Sequence, residues 1–135
     1  MLMACAAGPA AQRHVRLEAM TDPDPHYDRG YEAYSNQNYA EALPQLMPFA
    51  EAGDSDAQCA VASMYQLGLG VEANGAEAVR WYRKAATGGS SLACNNLWCI
   101  FSAGCHDVSQ NKDEARKWYD EAKRRGFPHL PREFY

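Results

Sequence analysis

The sequence predicts an all-α chain made of about three copies of one two-helix unit. Three observations carry that reading. First, an Asn-x-x-Glu string recurs as Asn38-Tyr39-Ala40-Glu41, Asn74-Gly75-Ala76-Glu77 and Asn111-Lys112-Asp113-Glu114, at spacings of 36 and 37 residues. Second, the segment after each string closes on a glycine, at Gly53, Gly89 and Gly126, again 36 and 37 residues apart. Third, Ala57, Val61, Met64, Tyr65 and Gly68 return as Ala93, Leu97, Ile100, Phe101 and Gly104, each 36 residues later. Offsets of three and four place these residues on one helical face. A fixed period of this length marks a repeat architecture. No alternation of apolar and polar residues, as a half-buried strand needs, competes with it.

The elements follow in order. A first A helix is predicted over 27–36. The string before it, Asp22-Pro23-Asp24-Pro25-His26, reads as a proline-stiffened linker. Its carboxylates and imidazole are suitable cation donors, but their spacing matches no metal-binding loop. A first B helix is predicted over 39–52. At its start, as at 74 and 111, the Asn side chain should accept from the amide three residues on, while the Glu reaches back to the Asn amide. Pro44 and Pro48 fall inside this helix, and each removes a helical hydrogen bond, so a bend or local loosening is expected. The second pair is predicted over 55–67 and 75–88, the third over 91–103 and 112–125. The glycine closing each B helix suits the left-handed position after a helix end. The first unit is the shorter one: Tyr34 to Ala42 is 8 residues, whereas Tyr65 to Ala78 is 13. The difference lies in the loop Leu69-Gly70-Val71-Glu72-Ala73.

Two aromatic pairs, Trp81-Tyr82 and Trp118-Tyr119, repeat at 37 residues. Adjacent helical positions diverge by about 100°. Tyr82 and Tyr119 align with Leu46 and are expected in the core; Trp81 and Trp118 align with polar Gln45 and are expected to be half buried.

Composition bounds the function. The chain has 135 residues, 47% of them hydrophobic, the size and apolar content of one domain with a packed core. Thirteen basic against 17 acidic residues give a net charge of −4, which argues against a polybasic nucleic-acid binder. No apolar run approaches the roughly 20 residues of a membrane-spanning helix. Most charges read as a solvated face. Asp113–Lys117, Asp120–Arg124 and Glu121–Arg125 are i,i+4 pairs, each contributing about 0.3 kcal/mol. Lys123, Arg124 and Arg125 suit a helix C-terminus and leave a small basic patch for an acidic partner.

The five cysteines match no zinc spacing. Buried free thiols are the first reading of Cys59, Cys94 and Cys99; a Cys99–Cys105 or Cys59–Cys94 disulfide is the alternative. Cys105-His106-Asp107 holds a nucleophile, a base and an acid, but consecutive residues point apart, and the string reads as a polar loop. There is no phosphate-binding glycine loop and no H-E-x-x-H, and neither a cofactor nor a metal is expected. His14 and His129 have no evident partners.

The repeat residues carry a family resemblance. Ala57-Gln58-Cys59-Ala60-Val61-Ala62-Ser63-Met64-Tyr65-Gln66-Leu67-Gly68-Leu69-Gly70-Val71 resembles the A helix and G-x-G-V loop of the Sel-one-like repeat. Ala78-Val79-Arg80-Trp81-Tyr82-Arg83-Lys84-Ala85-Ala86 resembles its B helix. The likeness is close over 54–89, good over 90–126 and shortened over 31–53, where the hairpin is nearer a plain tetratricopeptide hairpin. It implies a short α/α solenoid of about three antiparallel helical hairpins in a tetratricopeptide-like superhelix. The loop Cys105-His106-Asp107-Val108 departs from the G-x-G-V form. Trp98 stands where the family pattern wants a small residue, which implies a last unit with Trp98 packed on the C-terminal tail.

The resemblance implies a helical-repeat domain over 25–126, an N-terminal segment over 1–24 and a capping tail over 127–135. In that segment Leu2-Met3-Ala4-Cys5 resembles a lipobox. A lipid anchor at Cys5 would make this a periplasmic or outer-membrane lipoprotein; without it, the location is cytoplasmic. A solenoid presents its A helices on the concave side. The expected partner-binding residues there are Asn36, Gln58, Ser63, Gln66, Asn95, Asn96 and Ser102, with Trp98 as an eighth. The resemblance implies a bacterial, non-catalytic protein–protein interaction module, an adaptor or an immunity protein neutralising a secreted toxin. Its partner would be a protein or peptide, or a second copy in a homodimer. The competing class is a cell-wall or β-lactam hydrolase. Relatives discussed in that light pair a cysteine late in helix B with one in the next A helix, and here Ala85 and Ala86 stand at those late positions.

Overall fold

A computed structural model describes residues 24–128, 130 and 131. Asp24 opens it as a helix cap: its carboxylate accepts the His26 amide at 2.9 Å, and Pro25 occupies the first turn, where its missing N–H costs nothing. Helix α1 therefore spans Pro25–Ser35, two residues earlier than expected, and the end of the presumed linker is the start of a helix. The rest follow as α2 (Tyr39–Glu51), α3 (Ser55–Leu67), α4 (Gly75–Thr87), α5 (Ser91–Ala103) and α6 (Lys112–Arg124). No strand interrupts them among the described residues; one isolated bridge pairs Cys105 with Val108. Gly53, Gly89 and Gly126 stand just past the B helices with φ of +103°, +101° and +77°.

Each helix packs on its neighbours in sequence, so α1–α2, α3–α4 and α5–α6 form hairpins joined through α2–α3 and α4–α5. The repeated small residues make this possible. Ala42, Ala57, Ala78, Ala93 and Ala115 are completely buried and let neighbouring helices approach closely. Leu46 and Tyr82 are fully buried and Tyr119 nearly so, at one position of the three B helices. Burying such a side chain contributes about 1.5–3 kcal/mol. At the first hairpin's outer edge, Tyr27 meets Tyr31 and Phe49 with ring centroids 4.8 and 5.0 Å apart. Burial pushes the Tyr27 hydroxyl up to about 12.

The capping expectation holds in part. Asn74 accepts from the Glu77 amide at 3.0 Å, and Asn111 from Asp113 and Glu114 at 3.1 Å. The backbone amides of both asparagines, however, donate to the last turns of the A helices, to Tyr65 O and Phe101 O at 2.8 Å. That leaves Glu77 free to hold Arg80 at 2.9 Å and Glu114 free to accept from Trp118 Nε1 at 3.0 Å. Asn38 makes no such cap: its side-chain amide donates to the Glu41 carboxylate at 2.7 Å. The shorter first loop changes how the chain enters α2.

Pro44 and Pro48 leave α2 continuous. They lie four residues apart on an exposed face, opposite the buried Ala42, Leu46 and Ala50, so the carbonyls they deprive of a donor face water.

Candidate interaction surface

The residues expected to line a concave groove are placed very differently from one another. Gln58, Ser63, Gln66, Asn95, Asn96 and Trp98 are all buried, Asn96 completely. Asn36 is exposed at the end of α1, and Ser102 is half-buried. Three of the buried polar side chains have internal work. Gln58 Nε2 donates to Ala50 O at 3.0 Å, across the junction with α2. Ser63 Oγ donates to Ala60 O at 2.8 Å and lies 2.7 Å from the Tyr34 hydroxyl. Gln66 Oε1 accepts from the Tyr82 hydroxyl at 3.0 Å. Helix α5 is buried from Leu92 through Phe101 without a break, so its polar positions have no solvent face. The apolar stripe identified one contact face; it did not reveal that the B helices before and after α3 and α5 enclose them on further sides. As the chain stands, the accessible part of the expected groove is reduced to its edge at Asn36, since the Ser102 hydroxyl is itself buried.

Trp98 meets Tyr119 of α6, centroids 5.8 Å apart at 64°. The Tyr119 hydroxyl donates in turn to Pro131 O, and Phe127 and Leu130 pack half-buried on the core. In the preceding hairpin the equivalent Tyr82 donates to Gln66. Ser102 occupies the position of Gln66 in the last hairpin. Its side chain is too short to take Gln66's role, and the tail carbonyl takes the tyrosine proton.

The cysteine string forms a tight turn. Cys105 and Val108 exchange backbone hydrogen bonds at 2.9 and 2.7 Å around a tight turn, with His106 at φ +47°. Asp107 Oδ1 accepts the Gly75 amide at 2.8 Å, at the first turn of α4 in the preceding hairpin. A carboxylate there complements the helix dipole. The four described cysteines are free thiols, and neither the Cys59–Cys94 nor the Cys99–Cys105 disulfide is formed. Cys59 Sγ instead lies 3.5 Å from Ser90 Oγ, and burial pushes its pKa up to about 12. Cys105 Sγ points to Gln66 O at 3.9 Å. Cys5, His14, His129 and the 1–23 portion of the N-terminal segment lie outside the described residues.

The accessible chemistry gathers on the B helices. Trp81 and Trp118 are buried, not half-exposed as expected. Cationic side chains lie over their faces and account for the difference. Arg80 and Lys84 stand 4.7 Å from the Trp81 ring centre, and Lys117 stands 5.1 Å from that of Trp118. Arg83 bridges from α4: it lies 5.7 Å from Phe101 and 5.9 Å from Trp118, and its guanidinium reaches Glu114 at 3.3 Å. Of the expected i,i+4 pairs, Glu121–Arg125 forms at 2.7 Å, while Arg124 turns to Glu121 in place of Asp120. The two guanidiniums hold the Glu121 carboxyl at about 2. Arg125 also donates to Ala86 O at 2.7 Å. Between α4 and α6 these side chains frame a cleft of about 220 Å³, lined by Ala86, Thr87, Lys117, Trp118, Glu121 and Arg125.

Tandem hairpins that pack only on their neighbours define an α/α solenoid. Within that class the likeness is to a particular repeat: the Sel1 repeat model matches residues 55–90 and 100–127. Two solved structures agree. One is a protective antigen present in uropathogenic Escherichia coli strains and displaying an SLR fold. It is 30% identical with a TM-score of 0.67, and the match covers 75% of this chain and 22% of that protein. The other is a Sel1 repeat protein from Oxalobacter formigenes, 30% identical with a TM-score of 0.64, covering 78% of this chain and 44% of that protein. This chain thus spans less than half the length of either. No described helix is long and apolar enough to cross a membrane.

Proposed function

We propose that this chain is a non-catalytic protein-binding module, an adaptor or binding protein of the bacterial Sel1-repeat type. Sel1 repeats are helical-repeat modules for protein interaction. The observation that carries the reading here is the arrangement of the B helices. Neighbouring hairpins bring α4 and α6 side by side, with charged side chains layered over buried tryptophans and a cleft between them. A rigid, polar, aromatic-backed surface of this kind suits recognition of another polypeptide. The one string with catalytic residue types supports the same reading, because the Asp107 carboxylate accepts from the α4 amide and the Cys105 thiol is turned toward Gln66 O.

The test is affinity capture from the native host with the tagged full chain, followed by mass spectrometry. A partner that competes off with untagged protein is expected. Its identity separates the finer readings: a secreted toxin marks an immunity protein, and a signalling or envelope component marks an adaptor. Recovery of no partner above background, together with hydrolysis of peptidoglycan or a β-lactam by the purified chain, overturns the proposal.

A further inference from the structure

Charge is unevenly distributed along this fold. Residues 24–74, from α1 to the loop before α4, carry one basic and eight acidic side chains, a net of −7. Helices α4 and α6 with Arg125 carry nine basic and five acidic ones, a net of +4. The mild overall acidity therefore conceals a net positive charge on the later B helices. The cleft lies between them. Its one carboxylate, Glu121, is already held by Arg124 and Arg125. No ion pair holds the ammonium of Lys117 among the described residues; it lies over the Trp118 ring at the cleft.

We propose that the α4–α6 cleft binds an acidic segment of a partner polypeptide, with one Asp or Glu side chain entering between Lys117 and Arg125 against the Trp118 ring. This rests on the protein-binding reading above and specifies the chemistry of the partner. Three features favour a carboxylate-bearing peptide over a phosphate backbone. The cleft is discrete, about 220 Å³, the scale of a side chain and not of a strand. Acidic residues Glu77, Asp113, Glu114, Asp120 and Glu121 are interspersed with the cations and break any continuous track for evenly spaced phosphates. The ring beneath the cations supplies an apolar floor for the methylenes of Asp or Glu. Opposite charge across such a surface steers encounter and is weakened by salt.

The experiment uses the full chain and a fluorescein-labelled acidic peptide of alternating Glu and Ser, with a Gln–Ser peptide and an oligothymidylate of matched length as controls. Anisotropy should show saturable binding of the acidic peptide alone, weakening at least about tenfold between roughly 50 and 300 mM salt. Lys117→Glu should abolish it and Lys117→Gln should weaken it, both with unchanged helical circular dichroism. Trp118→Phe should retain binding while removing its share of the tryptophan fluorescence change. The proposal is overturned by equal binding of the Gln–Ser peptide, by tighter binding of the oligothymidylate, by no saturable binding at low salt, or by indifference to Lys117→Glu. The partner capture is read separately: a partner retained equally by wild type and Lys117→Glu refutes the cleft and leaves the protein-binding function standing.

Discussion

The two junctions between hairpins meet the same demands with different chemistry. At the first, the loop after α3 lies against the start of α2, and the close approach is met by a glycine in the loop. A Cβ on Gly70 would fall 2.6 Å from Tyr39 C and 2.8 Å from Ala40 N. At the second, the loop after α5 lies against the start of α4, and the glycine has moved across the contact. His106 stands 36 residues after Gly70, and Gly75 stands 36 after Tyr39. A Cβ on Gly75 would fall 2.8 Å from both Asp107 Oδ1 and Cys105 O. The B-helix carbonyl shows the same exchange. Ala50 O takes a neutral amide from Gln58, whereas Ala86 O takes a guanidinium N–H from Arg125. Cys94, 36 residues after Gln58, offers no comparable donor. A repeat thus preserves the places where backbones meet and where a carbonyl needs a donor. It does not preserve which residue answers.

Substitutions can break this comparison, beginning with the largest effect. Gly70→Ala forces a methyl into the α2 backbone at a φ of +70° and should lower stability by about 3 kcal/mol in urea unfolding. Gly75→Ala, without the dihedral strain, should cost about 2 kcal/mol. Indifference to either change would show that its loop does not need that approach. The carbonyl contacts come next. Gln58→Leu leaves Ala50 O without its donor in a buried place and should cost about 2 kcal/mol, equally in low and high salt. Arg125→Met should cost about 1.5 kcal/mol in low salt and clearly less in about 1 M salt, because a charge-assisted contact is screened. Identical salt responses would erase the distinction between the junctions.

Two smaller effects sharpen it. The Glu121 carboxyl titrates at about 2 in the fold, below its ordinary value, so its stabilising contribution is complete above the unfolded carboxylate range and is lost as pH falls toward 2. Wild type should therefore lose stability over that acid window more steeply than Glu121→Gln; parallel curves would deny the pairing with Arg124 and Arg125. Finally, His106→Gly relieves a left-handed backbone and should raise stability by about 0.5 kcal/mol, while the same change at the exposed helical Asp120 should lower it.

Much of the fold is legible from spacing alone. The second and third A helices lie at the residues their apolar repeats mark, and every B helix ends within a residue of its expected limit. The start of α1 was also readable, since Asp24-Pro25 is a cap followed by a first-turn proline. The surface was harder to read. Gln58, Ser63, Gln66, Asn95 and Asn96 have polar side chains off the apolar stripe, which ordinarily means solvent. Three of them make hydrogen bonds to a carbonyl, a hydroxyl or both, supplied by other turns and helices, and a single-helix pattern has no term for those partners. The tryptophans err the other way. A Gln at the aligned first-unit position suggested exposure, but lysine and arginine stems cover the indoles, and that cover depends on neighbours a turn away.

The transfer of a glycine from the loop, at Gly70, to the helix start, at Gly75, bears on how such arrays can be recombined. Placing the His106-Asp107 loop over a helix that begins with Tyr39 would drive the Tyr39 Cβ into the positions of the Asp107 carboxylate and the Cys105 carbonyl. Joining a Gly70-type loop to a Gly75-type start would leave a void and an amide without its carboxylate. Whole hairpins are therefore poor units of exchange. An engineered array should be cut inside the loop from an A helix to its B helix, between Gly70 and Gly75, so that each loop travels with the helix start it touches, and the transferable module becomes the seam.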